Sequence, residues 1–156
     1  MDGPVNLWKP EYMLDIDVID EQHKGFFDLC LKAAMLCESA RKKPIELHNV
    51  IHLIYGMRAY AFKHFHTEET LLLKYGYPKI YGHMSLHDIF LRTLQEFTAE
   101  LHVELAKTEK AGQDGFLACA SHINDYLTNW WGEHILNTDQ DYARFLREQR
   151  GHKTQA

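Results

Sequence analysis

The sequence predicts an all-α chain: an antiparallel up-down-up-down four-helix bundle with an extended N-terminal arm and a short C-terminal helix. Three observations lead there. Apolar residues recur at three- and four-residue steps through four long stretches, which is the period of a helix face rather than of a strand. Breakers such as Pro44 and Gly76-Tyr77-Pro78 fall between those stretches. Hydrophobic residues make up 46% and charged residues 25%, the balance of a packed globular chain. At 156 residues the chain fits one domain, 1–156, read as an arm over 1–15, a bundle over about 17–137 and a terminal helix over about 139–149.

Taken in order, the arm carries Pro4, Trp8, Pro10 and Tyr12 without a helical period, so its aromatics should pack on the body. With Asp17 or Asp20 as N-cap, Ile19, His23, Phe26, Cys30, Ala34 and Cys37 trace one helix face that ends near Lys42. A second stripe holds Val50, Leu53, Met57, Ala61, His64, Glu68, Leu71 and Tyr75, and Gly76-Tyr77-Pro78 stops it. A third runs through Ile80, His83, His87, Phe90, Leu94, Phe97, Leu101 and Leu105, ending before Ala111-Gly112-Gln113-Asp114-Gly115. The fourth holds Phe116, Ala120, Ile123, Leu127, Trp130 and His134, and Tyr142, Phe145 and Leu146 suggest a short helix capped by Thr138 or Asp139. Each amphipathic helix must bury its stripe against the others, which makes an antiparallel bundle.

Composition excludes several classes of function. A net charge of -5 with interspersed signs lacks the basic stripe that a phosphate backbone requires, so no nucleic-acid partner is expected. Cys30, Cys37 and Cys119 form no C-x-x-C pair and read as reduced, buried thiols rather than a disulfide framework or a thiolate zinc site. No apolar run approaches the roughly 18 residues needed to span a bilayer, and the first residues lack the pattern of a leader. The reading is a cytoplasmic protein with no membrane partner. One anomaly stands out, the 11 histidines.

Their positions are informative. His23, His64, Glu68, His83, His87 and His134 all lie on stripes that are otherwise apolar, so a bundle core would bury them together. Buried polar groups without partners cost about 1 to 3 kcal/mol each, and ionised carboxylates cost more. A shared metal centre is the economical partner, because neutral imidazoles and carboxylates are metal ligands and facing helices converge in a bundle core. Ligands four residues apart sit about 40° from each other, so His64 with Glu68 and His83 with His87 can each reach one centre. His134 and Asp139 would stand about 140° apart on an unbroken helix. The helix should therefore end or loosen near Asn137, which brings Asp139 back toward the metal. Five imidazoles and two carboxylates exceed the needs of one ion and suit two ions sharing carboxylates. No glutamate is followed three residues later by histidine, so the E-x-x-H signature of ferritin-like di-iron bundles is absent.

With those residues in view, Asp20-Glu21-Gln22-His23-Lys24, His64-Phe65-His66-Thr67-Glu68-Glu69, Gly76-Tyr77-Pro78, His83-Met84-Ser85-Leu86-His87 and His134-Ile135-Leu136-Asn137-Thr138-Asp139 resemble the hemerythrin family in its bacterial form. The resemblance runs from about Trp8 to Phe145, with all seven ligand positions occupied in order. It implies two Fe ions in an oxo- or hydroxo-bridged centre, with Glu68 and Asp139 bridging. His83, His87 and His134 would complete one iron, and His23 and His64 the other, which is left one ligand short where dioxygen binds. The implied function is reversible dioxygen binding for storage, transport or delivery, without enzymatic turnover; a redox or oxygen sensor, or an enzyme reducing O2, peroxide or nitric oxide, is the alternative. Phe26, Phe65, Trp130, Trp131 and Ile135 lie within about one turn of a ligand, and such an apolar wall would line the O2 pocket and keep out water.

The remaining histidines are set apart. His52 precedes His64 by about 18 Å of helix rise, so His48 and His52 cannot share that centre. His66 and Glu69 turn away from the stripe, while His102 and His122 lie beside theirs and should face solvent or bond locally. His152 and the run Arg144, Arg147, Arg150 and Lys153 read as tail and solvated helix face.

Overall fold

A computed structural model of the chain describes residues 6–42, 47–107 and 110–153, with side chains left aside at 110–112 and 151–153. Four long helices, α1 (Asp17–Lys42), α2 (Leu47–Tyr75), α3 (Ile80–Leu105) and α4 (Lys110–His134), form the bundle. Each packs on its neighbours in chain order and α1 closes the ring against α4, while the α2 to α4 diagonal is sparse. A π-helical turn over Ile135–Asp139 joins α4 to α5 (Gln140–Lys153). There is no strand among the described residues, and none of their helices is long and apolar enough to cross a membrane.

From residue 6 onward the arm is tied down by chemistry legible in its residues; Pro4 lies outside the described residues. Trp8, Tyr12 and Phe27 form a ring cluster, with Tyr12 stacked on Phe27 at 5.1 Å and Trp8 5.6 Å from Tyr12. A short 3-10 turn at Pro10–Tyr12 aims Tyr12 at Gly132 of α4, where an added Cβ would stand only 2.9 Å from the hydroxyl oxygen. Asp20 sits inside α1 and reaches back to accept the N–H groups of Leu14 (2.9 Å) and Ile16 (3.2 Å). It therefore holds the chain entering the helix, while Asp17 begins it.

The α2 stop is a Schellman turn. Gly76 adopts φ +66, the Tyr77 N–H bonds back to the Leu72 carbonyl at 3.0 Å and the Gly76 N–H to Leu73 at 3.2 Å. That turn buries Tyr77, whose ring packs 5.5 Å from Phe145 and 6.2 Å from Tyr142 on α5.

The stripes need local correction. Ala33, not Ala34, is buried on α1; Leu72 rather than Leu71 closes α2; Tyr75 and Leu105 are exposed, and Thr98 joins the buried face of α3. Shifts of one position are what the mismatch between a 3.6-residue period and whole-residue steps produces along a long stripe, and Tyr75 and Leu105 are the last residues of their helices, where the packing face runs out. Ala111-Gly112-Gln113-Asp114-Gly115, expected as a loop, lies inside α4. Glycine lowers helix stability by about 1 kcal/mol without forbidding the helix, and burial of Phe116, Leu117 and Ala120 just beyond outweighs that cost. Gly115 also faces the Glu104 carboxylate of α3 so closely that a side chain would collide with it. Of the thiols, Cys30 and Cys37 are buried and Cys119 is half-buried, and all are free.

Candidate metal centre

All seven sequence-selected residues, His23, His64, Glu68, His83, His87, His134 and Asp139, are buried and meet at one end of the bundle. α1 contributes His23, α2 His64 and Glu68, and α3 His83 and His87. α4 ends at His134, and the π-turn delivers Asp139. The five-residue problem is solved by widening: the Gln140 N–H bonds to the Ile135 carbonyl, an i to i+5 closure that stacks residues five apart on the same face. His134 Nε2 then lies 3.1 Å from Asp139 Oδ1. The helix loosens without ending.

The donors fall into two groups that share one residue. Ligand atoms of Glu68, His83, His87 and His134 lie mutually within 4.8 Å, as do those of His23, His64 and Glu68. Glu68 Oε2 is 3.0 Å from His83 Nε2, 3.1 Å from His87 Nε2 and 3.8 Å from His64 Nε2. Asp139 spans the same divide, with Oδ1 toward His134 and His83 and Oδ2 3.3 Å from His23 Nε2.

A metal fits this set. Both Asp139 oxygens, both His23 nitrogens and His83 Nδ1 are buried without a hydrogen-bond partner. The His23 to Asp139 approach is close enough for attraction but out of line for a hydrogen bond. Orphaned donors at this density would be costly unless a cation received them. Electrostatics agree: burial alone would raise Glu68, yet His64, His83 and His87 hold its carboxyl well below the usual range. Asp139, raised by burial and by Glu68, is nonetheless lowered by His134 and His23. Burial pushes His64 down to about 3, so it is a neutral donor. Burial opposes charge on His87 as well, but Glu68 and Glu69 raise it to about 9. A cation bound at His87 Nε2 would compete with a proton there.

Three residues outside the sequence-selected set hold the donors in place. Gln22 accepts the His64 Nδ1–H through Oε1 at 2.9 Å, and its own amide reaches Thr67 Oγ1 at 3.4 Å. Glu69 accepts from His87 Nδ1 at 2.7 Å. Both bonds leave Nε2 turned inward, the arrangement in which an outer partner fixes a metal-ligating imidazole. Tyr142, buried on α5, donates its hydroxyl to Glu68 Oε1. Adjacency was the available signal: Gln22 and Glu69 neighbour His23 and Glu68 in sequence, and Tyr142 lies three residues after Asp139 on a helical face.

Aromatics cover the centre on its interior side. Phe65 stacks on His87 at 3.9 Å and Trp130 on His134 at 4.3 Å. Trp131 stands 4.9 Å from His64 and stacks on Phe26 at 3.8 Å. Phe26, Phe65, Trp131 and Ile135 are buried, while Trp130, placed on the buried stripe by sequence, is half-buried. On the other side, a groove of about 350 Å³ runs past Tyr77, Gly82, His83, Asn137 and Asp141. A further groove, of about 760 Å³, lies elsewhere, between α2 and α3 at Arg58, Phe62 and Arg92.

Histidines set aside on spacing lie away from the centre. His66 and His122 are exposed, the latter against Phe97 at 5.5 Å. His102, also exposed, bonds to the Tyr55 hydroxyl at 2.6 Å. The side chain of His152 is outside the described residues.

Helices that bring buried imidazoles and carboxylates to one end in two groups sharing a carboxylate define a metal-binding four-helix bundle. The family model of the hemerythrin HHE cation binding domain matches residues 14–146, and the chain belongs to the hemerythrin family. It is similar to the bacteriohemerythrin of Clostridium acetobutylicum, 29% identical over 136 residues that cover 87% of this chain and 97% of that protein. Bacteriohemerythrins of Stenotrophomonas maltophilia, 25% identical over 137 residues (88% of this chain, 78% of that protein), and Pseudomonas aeruginosa, 26% identical over 141 residues (90% and 81%), are also similar.

Proposed function

We propose that this chain is a non-haem di-iron protein that binds dioxygen reversibly, for storage, transport or delivery, and that it has no catalytic turnover of its own. The observation that carries the reading is the division of the donors into a three-histidine and a two-histidine group meeting at Glu68. Two ions held this way would share Glu68 and Asp139, with His83, His87 and His134 on one and His23 and His64 on the other. When bound, a ferrous pair supplies the two electrons that let dioxygen be held and released.

The remaining work belongs to side chains. Gln22 and Glu69 orient His64 and His87, so the donors need little reorganisation on binding. Tyr142 holds a proton against Glu68 Oε1 and thereby fixes which oxygen faces the imidazoles. Phe26, Phe65, Trp130, Trp131 and Ile135 form the apolar wall of the O2 pocket and exclude water and the protons that would discharge a reduced ligand. Five neutral donors with only two carboxylates form a charge-poor shell, which favours reversible binding over stabilisation of high-valent iron.

The test is optical. Dioxygen is added to the anaerobically reduced, iron-loaded protein while the visible spectrum is recorded. A charge-transfer band that forms with O2 and disappears on deoxygenation is expected. Sustained O2 consumption with a reductant would instead make the protein an oxidase, and irreversible bleaching would remove the carrier role.

A further inference from the structure

His48 and His52 lie in the first turns of α2, one turn apart on a single face, and both rings are exposed. Their Nε2 atoms are 3.0 Å apart, with ring centroids at 4.5 Å and planes at 81°. Two nitrogens that close either share one hydrogen or converge on one cation.

At 3.0 Å the two rings share one hydrogen, and the same separation can be compared with what metal geometries require. Imidazole nitrogens about 2.0–2.1 Å from one ion are about 2.8–3.0 Å apart when they meet at a right angle, and about 3.3–3.4 Å apart at the tetrahedral angle. The observed spacing matches the right-angled edge of a square-planar or tetragonal site, the preference of Cu(II) and Ni(II). Zinc's tetrahedral preference fits less well. Tyr55 follows His52 by three residues, so it borders the pair on the same face, and it holds the α3 imidazole of His102 beside it. About 18 Å of helix rise separates His52 from His64, so this pair shares nothing with the buried centre.

We propose that His48 and His52 form a second, solvent-facing metal site, a two-imidazole chelate for a tetragonal divalent cation, Cu(II) before Ni(II) in affinity. Solvent fills the other positions, which makes the ion exchangeable. The site does not depend on the iron reading, because its ligands are exposed and separate.

The experiment titrates the iron-loaded protein with Cu(II) and follows both affinity and the electron paramagnetic resonance spectrum. The same titration is run on His48→Ala, His52→Ala, the double variant and His66→Ala, an exposed single histidine on the same helix. Expected is one Cu(II) per chain with hyperfine splitting from two imidazole nitrogens. Each single variant should weaken that binding by more than about tenfold, equivalent to about 1.4 kcal/mol, while His66→Ala leaves it unchanged. Exposed substitutions should leave the helical circular dichroism unaltered, so loss of binding cannot be assigned to unfolding. A double variant that binds copper as tightly as the unaltered chain, or retains the two-nitrogen splitting, overturns the proposal.

Discussion

The two ends of the bundle are built on the same four stripes and filled in opposite ways. Toward the start of α4 the core is mostly apolar, with Cys37, Ala40, Val50, Ile54, Leu101, Phe116 and Ala120 buried and Thr98 and Asn124 as polar exceptions. Toward the end of α4 the same helix faces present five histidines and two carboxylates, with Phe26, Phe65, Phe90 and Trp131 as the layer between. Dispersion and water release hold the first end together in any state of the protein. The second end carries orphaned nitrogens and oxygens, so it reaches full stability only when a cation receives them. A helix stripe can thus be uniform in geometry while one end is structural and the other chemical.

The sharpest way to break this contrast is to cut each end separately. Phe116→Ala should cost about 3–5 kcal/mol of unfolding free energy and leave metal content unchanged. Asp139→Ala should lower bound metal below two per chain while helical circular dichroism persists, and its loss of unfolding free energy should be limited to the part that bound metal supplies. Denaturant unfolding and metal analysis on both variants check the pair; loss of metal in Phe116→Ala would show that the ends are not separable.

Stripping the metal is the next largest effect. At free metal a thousandfold above its dissociation constant, loading should add about 4 kcal/mol of stability. Hydrogen exchange should place the gain around His83, His134 and the π-turn, with little change near Phe116. Uniform protection along α4 would contradict a local metal end.

Within the metal end, the outer partners differ: His87 is held by a carboxylate and His64 by a neutral amide. Glu69→Gln keeps an acceptor at His87 but removes its charge, and should weaken metal binding by about 10- to 100-fold. A competing chelator measures that loss, and a variant equal to the parent would reduce Glu69 to a spacer.

The smallest effect concerns the thiols. Burial pushes Cys30 up to about 12 and also raises Cys37 and Cys119. The reactive thiolate is therefore scarce near pH 8 at all three positions. Alkylation of native protein should be slow at half-buried Cys119 and absent at Cys30 and Cys37 until unfolding. Fast labelling of Cys30 would show that the apolar end opens more readily than its packing implies.

Most of the fold could be read from periodicity and breakers, because burying a stripe is a demand each helix makes locally. Periodicity also singled out the donors on α1 to α4, since polar residues on an apolar face need a common partner. It was blind to what one helix offers its neighbour. Glu69 is far around α2 from His64, and that angle says nothing about its reach to His87 on α3. Gln22 is similarly off the α1 stripe yet meets α2. The five-residue gap from His134 to Asp139 required the helix to yield, but an ended helix and a π-turn satisfy it equally. Only the packing of Tyr142 and Leu146 beyond the gap, which keeps the chain helical, selects the turn.

The shared-carboxylate centre is tested most directly by counting ferrous ions bound in an anaerobic titration of the unaltered chain and of Glu68→Ala. Two per chain are expected for the first, and fewer than two for the second. One iron in the unaltered chain, or two in Glu68→Ala with undiminished affinity, would contradict a pair of ions joined through Glu68.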